Sequence, residues 1–117
     1  MERPKTVAEH HRNVRSLRCV ITANPAVTLH HCHGGSMSEA GYATGMAQRG
    51  GGGEALVIPI VASYHVGEDG IDYGVGVVTW ERWYGTQIEH LKDIGEQLGY
   101  DLFQLAKAWE RRTPPRG

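Results

Sequence analysis

Residues Leu29-His30-His31-Cys32-His33-Gly34-Gly35 put three histidines within four positions, directly after the short apolar stretch Val27-Thr28-Leu29 and directly before paired glycines. Neutral imidazole is a good ligand for Zn²⁺, Mn²⁺ and similar cations, and it is also the side chain best suited to take a proton near neutral pH. Successive residues on a strand point to opposite faces. A strand ending in His30-His31 therefore divides labour, with one imidazole turned to an ion and its neighbour free to act on water. The plainer reading is a polar loop that merely holds histidines, and the surrounding sequence has to decide.

Working outward, Cys19-Val20-Ile21-Thr22 and Val27-Thr28-Leu29 are apolar or β-branched, with Ala23-Asn24-Pro25 as a turn signal between them. This pattern predicts a β-hairpin over 18–31 that delivers His30 and His31 at its end. Residues 4–17 read as a helix with Val7, His11, Val14 and Leu17 on one side. The stretch 33–53 carries Gly34, Gly35, Gly41, Gly45 and Gly50–Gly53, a density that argues against a long stable helix and for a mobile excursion. Ala55–Ala62 returns to the core, with Pro59 placed to open a short helix that ends near Val66-Gly67. Trp80, Tyr84, Ile88, Leu91, Ile94 and Leu98 recur at three- and four-residue intervals and predict one amphipathic helix over 79–98. Asp101 with Gln104 opens another over 101–110, with Leu102, Leu105, Ala106 and Trp109 inward and Pro114-Pro115 as the stop. Trp83 and Tyr100 are the aromatic residues that either fill the core or face a partner.

With 117 residues, 40% hydrophobic and 21% charged, the chain reads as one domain of ordinary globular composition, residues 1–117. Within it we expect a basic N-terminal helix or arm (1–17), a central core (18–75), and C-terminal helices with a basic tail (78–117). No stretch has the roughly 20 apolar residues of a membrane span, and no leader is visible, so the expected location is cytoplasmic. Cys19 and Cys32 suit a reducing compartment and lack the paired spacing of a structural zinc site. The net charge of −1 hides an asymmetry: Arg3, Lys5, Arg12, Arg15 and Arg18 lie at one end and Lys107, Arg111, Arg112 and Arg116 at the other. Basic ends suit phosphate contacts, and equally suit solvated termini. Beyond the His-His pair, the metal candidates are His65 and the carboxylates Glu68, Asp69 and Asp72, whereas His10, His11, His33 and His90 are expected to be solvent-exposed.

Three stretches, "CVITANPAVTLHHCHGGS" (19–36), "LVIPI…YH…GID" (56–72) and "WERWYGTQIEHL" (80–91), resemble phage HNH nucleases of the recombination-enhancement (Ref-like) type, within the ββα-metal or His-Me finger endonucleases. The resemblance runs from about Val14 to Leu98. It implies an α+β fold: a small ββα-metal core with a β-hairpin, a glycine-rich loop and flanking helices. It also implies a metal-dependent endonuclease hydrolysing DNA phosphodiester bonds, of phage or prophage origin in a bacterial host and linked to recombination or replication. His30 then carries over as a metal ligand, His31 as general base and His65 as second ligand. Where such enzymes show His-His at the helix and Gly-Ile-His beyond it, this chain has Tyr64-His65 and Gly70-Ile71-Asp72, so Asp72 takes the last ligand position. The implied cofactor is one divalent ion, Mg²⁺, Mn²⁺ or Zn²⁺, and a carboxylate in the set shifts preference toward harder ions.

DNA would be held by sequence-independent phosphate contacts from Arg15, Arg18, Arg49, Arg111, Arg112 and Arg116, assisted by a recombination or replication protein and without a membrane. Two competing readings predict different chemistry. A catalytically degenerate, metal-stabilised module would bind nucleic acid or a partner without cleavage. A plain helical interaction protein would bind no metal.

Overall fold

The computed structural model describes residues 2–42, 50–111 and 115–117. It is an α+β fold in which a two-stranded antiparallel sheet is surrounded by helices. Strand β1 (Thr28–His31) pairs with β2 (Val57–Ile60) in the register Thr28↔Ile60, Leu29↔Pro59, His30↔Ile58, His31↔Val57. The partner of β1 is therefore not the stretch that precedes it. Residues 19–24 curl into a knuckle: Cys19 N–H donates to the Asn24 carbonyl, Ala23 N–H to the Cys19 carbonyl, and Ala23 takes a φ of 61°. A chain that folds back on itself so tightly cannot run as a strand, and the expected hairpin over 18–31 is replaced by a pairing across 26 or more residues.

The run Val57-Ile58-Pro59-Ile60 is a strand and not the start of a helix. Pro59 is tolerated because its position faces away from β1: its carbonyl accepts from Val20 N–H, and no ladder bond is lost for want of a proline N–H. All four β2 residues are buried, as expected for a β-branched run covered on both faces.

Helix α1 (Val7–Arg15) is capped by Thr6, whose hydroxyl accepts from Glu9 N–H, and buries Val7, His10 and Val14. Its first free N–H groups, on Val7 and Ala8, donate to the carbonyls of Pro115 and Arg116, so the two basic ends of the chain lie together. Two short helices, α2 (Gly35–Glu39) and α3 (Gly50–Ala55), occupy described parts of the glycine-rich stretch, and neither is a long helix; residues 43–49 of the expected excursion lie outside the described residues. Tertiary packing overrides glycine's poor helix propensity in α3, which lies against the last helix with Gly52 and Gly53 buried. Helix α4 (Ala62–His65) follows β2 directly.

The single helix expected over 79–98 is two, α5 (Val77–Tyr84) and α6 (Gln87–Leu98). Gly85 breaks it with a φ of 94°, and Thr86 starts α6 by accepting from Glu89 N–H while its hydroxyl donates to the Glu89 carboxylate. Helix α7 (Leu102–Glu110) is capped by Asp101, which accepts from Phe103 and Gln104 N–H, and buries Leu102, Leu105, Ala106 and Trp109 as the periodicity predicts. Tyr100 is buried and Trp83 is 54% exposed. Among the described residues no helix is long and apolar enough to cross a membrane.

Candidate metal centre

Strand β1 turns His30 inward, where it is fully buried, and His31 to the other side. His65 is the last residue of α4, and Trp80 of α5 steadies that helix by donating its indole N–H to the Tyr64 carbonyl (3.1 Å). The chain then folds back so that Ile71 and Asp72 N–H donate to the Tyr64 and His65 carbonyls. Gly70 permits this closeness, since a Cβ there would lie 2.5 Å from the His65 carbonyl oxygen. His30, His65 and Asp72, widely separated in sequence, thus converge with one potential ligand atom each, all within 4.8 Å of one another.

The hydrogen bonds behind these three residues determine which atom each presents. Gln87, buried at the start of α6, has its amide orientation set by its neighbours. Its Nε2 faces only acceptors, the His33 and Gly34 carbonyls and a Glu81 oxygen, and its Oε1 accepts from His33 N–H. His30 Nε2 lies 2.9 Å from that same Oε1 and must donate to it. Neutral His30 then carries its lone pair on Nδ1, which is 3.1 Å from Asp72 Oδ2.

At His65 the logic repeats. The Thr28 hydroxyl gives its proton to the Ile60 carbonyl (2.7 Å), so His65 Nδ1–H is the donor in the 2.8 Å contact with Thr28. Its Nε2 lone pair therefore also faces Asp72 Oδ2, at 3.1 Å.

Asp72 itself is oriented by His33, whose Nε2–H donates to Oδ1 (2.8 Å). That bond raises the His33 pKa against the opposing effect of burial. Burial pushes the Asp72 carboxyl up, but when His30 and His65 are protonated toward it, the hydrogen bonds from His30, His33 and His65 prevail and hold it well below the usual carboxylate range.

Two imidazole lone pairs and an anionic oxygen thus meet at one point. Such a cluster calls for a positive charge among its members. A tetrahedral shell with bonds of about 2.0–2.2 Å sets neighbouring ligands about 3.3–3.6 Å apart, so each imidazole's 3.1 Å separation from Asp72 Oδ2 is within a few tenths of an ångström of what a cation needs. Each ligand also has the outer hydrogen-bond partner that metal sites require: Gln87 for His30, Thr28 for His65, His33 for Asp72.

His31 belongs to a different group. Its Nε2 lies 2.6 Å from Glu54 Oε1, and its ring packs edge-to-face on His11 at 5.8 Å between centroids. Burial would raise the Glu54 carboxyl, but hydrogen bonds from His31 and from Arg116 on Oε2 hold it below its ordinary value. The ionised carboxylate accepts, so His31 donates Nε2–H and keeps Nδ1 as its basic atom.

The histidines expected to be exposed are not. His10 is fully buried between the Tyr100 hydroxyl and the Ala55 carbonyl, His11 bonds the Glu54 carbonyl, His33 orients Asp72, and His90 bonds the Tyr84 carbonyl. Arg15, Arg18 and Arg111 are exposed, Arg116 is paired with Glu54, and Arg49 and Arg112 lie outside the described residues. Gln87, Glu81 and His33 were missed as site residues. Gln87 and Glu81 stand inside the quoted "WERWYGTQ" stretch, the one signal that marked them. Comparison of the chain with protein-family models, curated proteins and solved structures finds no match.

Proposed function

We propose that the protein is a metal-dependent endonuclease of the ββα-metal, Ref-like type, hydrolysing phosphodiester bonds in DNA. The observation that supports this most is the convergence of His30 Nδ1, His65 Nε2 and Asp72 Oδ2 with all three orientations preset by outer partners. His30, His65 and Asp72 would hold one divalent ion, Mg²⁺, Mn²⁺ or Zn²⁺, which when bound supplies charge relief at the phosphate and at the departing oxygen.

His31 is the base in this reading. Glu54 accepts its Nε2–H, which fixes the tautomer and leaves Nδ1 to take the proton of an attacking water. His31 follows His30 directly on β1 and lies on the other side of the strand. Arg15, Arg18 and Arg111 are exposed guanidiniums that would hold flanking phosphates, Arg18 also donating to the Ala23 carbonyl. Their contribution falls steeply with salt and carries no base specificity. A recombination or replication protein would supply recruitment.

Nicking of supercoiled plasmid tests the reading. Cleavage is expected with Mg²⁺ or Mn²⁺, lost on chelation, and reduced about 10²–10⁴-fold in His31→Ala. Metal binding without cleavage, in wild type under every divalent ion, would favour the degenerate binding module instead.

A further inference from the structure

On the side of β1 away from Asp72, three elements bring together a second donor set. His11 of α1, His31 of β1 and Glu54 of α3 each offer one ligand atom, and these also lie within 4.8 Å of one another. Glu54 Oε1 is the shared centre, 2.6 Å from His31 Nε2 and 3.8 Å from His11 Nε2. The side chain of His31 is 43% exposed, which leaves room for water or another ligand to complete a shell. Two imidazole nitrogens and one carboxylate oxygen with an open position is a donor set that suits zinc.

We propose that His11, His31 and Glu54 form a second divalent-cation seat, of zinc type, separate from the His30–His65–Asp72 centre. Occupation needs no net loss of protons from the imidazoles. The Nε2 hydrogens that His31 gives to Glu54 and His11 gives to the Glu54 carbonyl move to the respective Nδ1 atoms as Nε2 takes the ion. The Arg116 guanidinium on Glu54 Oε2 competes with a cation for the carboxylate, and its side chain is 72% exposed and free to swing away. The seat is accordingly weaker than the first centre.

The seat stands on its own geometry; its effect on cleavage rests on the nuclease reading. With zinc on Nε2, Nδ1 of His31 carries a hydrogen and no longer accepts one from water. Excess zinc then silences the base while the first centre stays loaded.

Calorimetric titration of the purified protein with Zn²⁺ tests the seat without DNA. Two equivalents are expected, the second at least tenfold weaker. His11→Ala removes the second and keeps the first, His65→Ala removes the first, and Arg116→Ala tightens the second several-fold. His11→Gln, which retains a donor toward the Glu54 carbonyl, guards against misfolding and should likewise bind one equivalent. A single equivalent in wild type, or two in both His11 variants, overturns the proposal. In the nicking assay, zinc beyond the amount that fills the first centre should inhibit wild type further and spare His11→Ala. Equal inhibition of the two would sever the seat from the base, whereas absence of nicking in every form would refute the nuclease reading and leave the calorimetric result intact.

Discussion

At Asp72 the positions of single hydrogens decide what the cluster can hold. Thr28 and Gln87 direct the His65 and His30 protons outward, and His33 occupies the second carboxylate oxygen, so Oδ2 and two lone pairs are left facing inward. His65→Ala deletes one ligand outright; metal binding and nicking should both disappear, as read by calorimetry and plasmid assay. Gln87→Leu keeps every ligand but frees the His30 ring to flip its tautomer. Loss of such an outer partner typically weakens metal affinity about 10–100-fold, and that drop in a titration is the expected result. An unchanged affinity would show that the His30 orientation has another source. Nothing in the spacing of residues 30, 65 and 72 named Gln87, because its role depends on which way an amide points.

The break between α5 and α6 sets where that amide stands. Gly85 breaks the helix and Thr86 caps α6, so Gln87 falls on the first turn with its backbone N–H bonded to Glu81 across the break. Thr86→Ala removes the cap bond to Glu89; a loss of about 1 kcal/mol is expected in urea unfolding, with slackened metal binding as its local companion. The Thr86-x-x-Glu89 signature was present in the sequence, and the continuous apolar periodicity from Trp80 to Leu98 masked it. The strand β2 was hidden for a different reason. A short apolar run with proline suits a helix start or an edge strand equally, and only the pairing with β1 decides. Gly70→Ala tests the loop that brings Asp72 back to His65. The added Cβ would press on the His65 carbonyl, and a lower Tm together with lost metal affinity is the expected outcome.

Across the whole molecule, the buried His10 links stability to pH. It donates Nε2–H to the Ala55 carbonyl and accepts from Tyr100, and burial lowers its pKa from 6.5 to about 4 against the carbonyl's opposing pull. The unfolded chain therefore binds more protons than the folded one between these values. The stabilisation is present in full above pH 6.5 and lost as pH falls toward 4, a total of about 3 kcal/mol at about 1.4 kcal/mol per unit. Urea melts at pH 7 and pH 5 should show the fall, and His10→Gln should flatten it. The depressed carboxyls of Asp72, Glu54 and Glu81 act in the same direction at lower pH, because their stabilisation is lost as pH drops through their folded values.

Local signals determined the local features. The cap at Asp101, the inward face of α7, and a strand ending in His30-His31 all follow from side-chain chemistry and period within a few residues. Tertiary structure alone decided which strand β1 pairs with, that His10 is core, that His33 serves Asp72, and that His31 joins His11 and Glu54. Those outcomes depend on contacts between residues tens of positions apart, whose cost in chain entropy is met only by burying a common core, and no short window of sequence carries that sum.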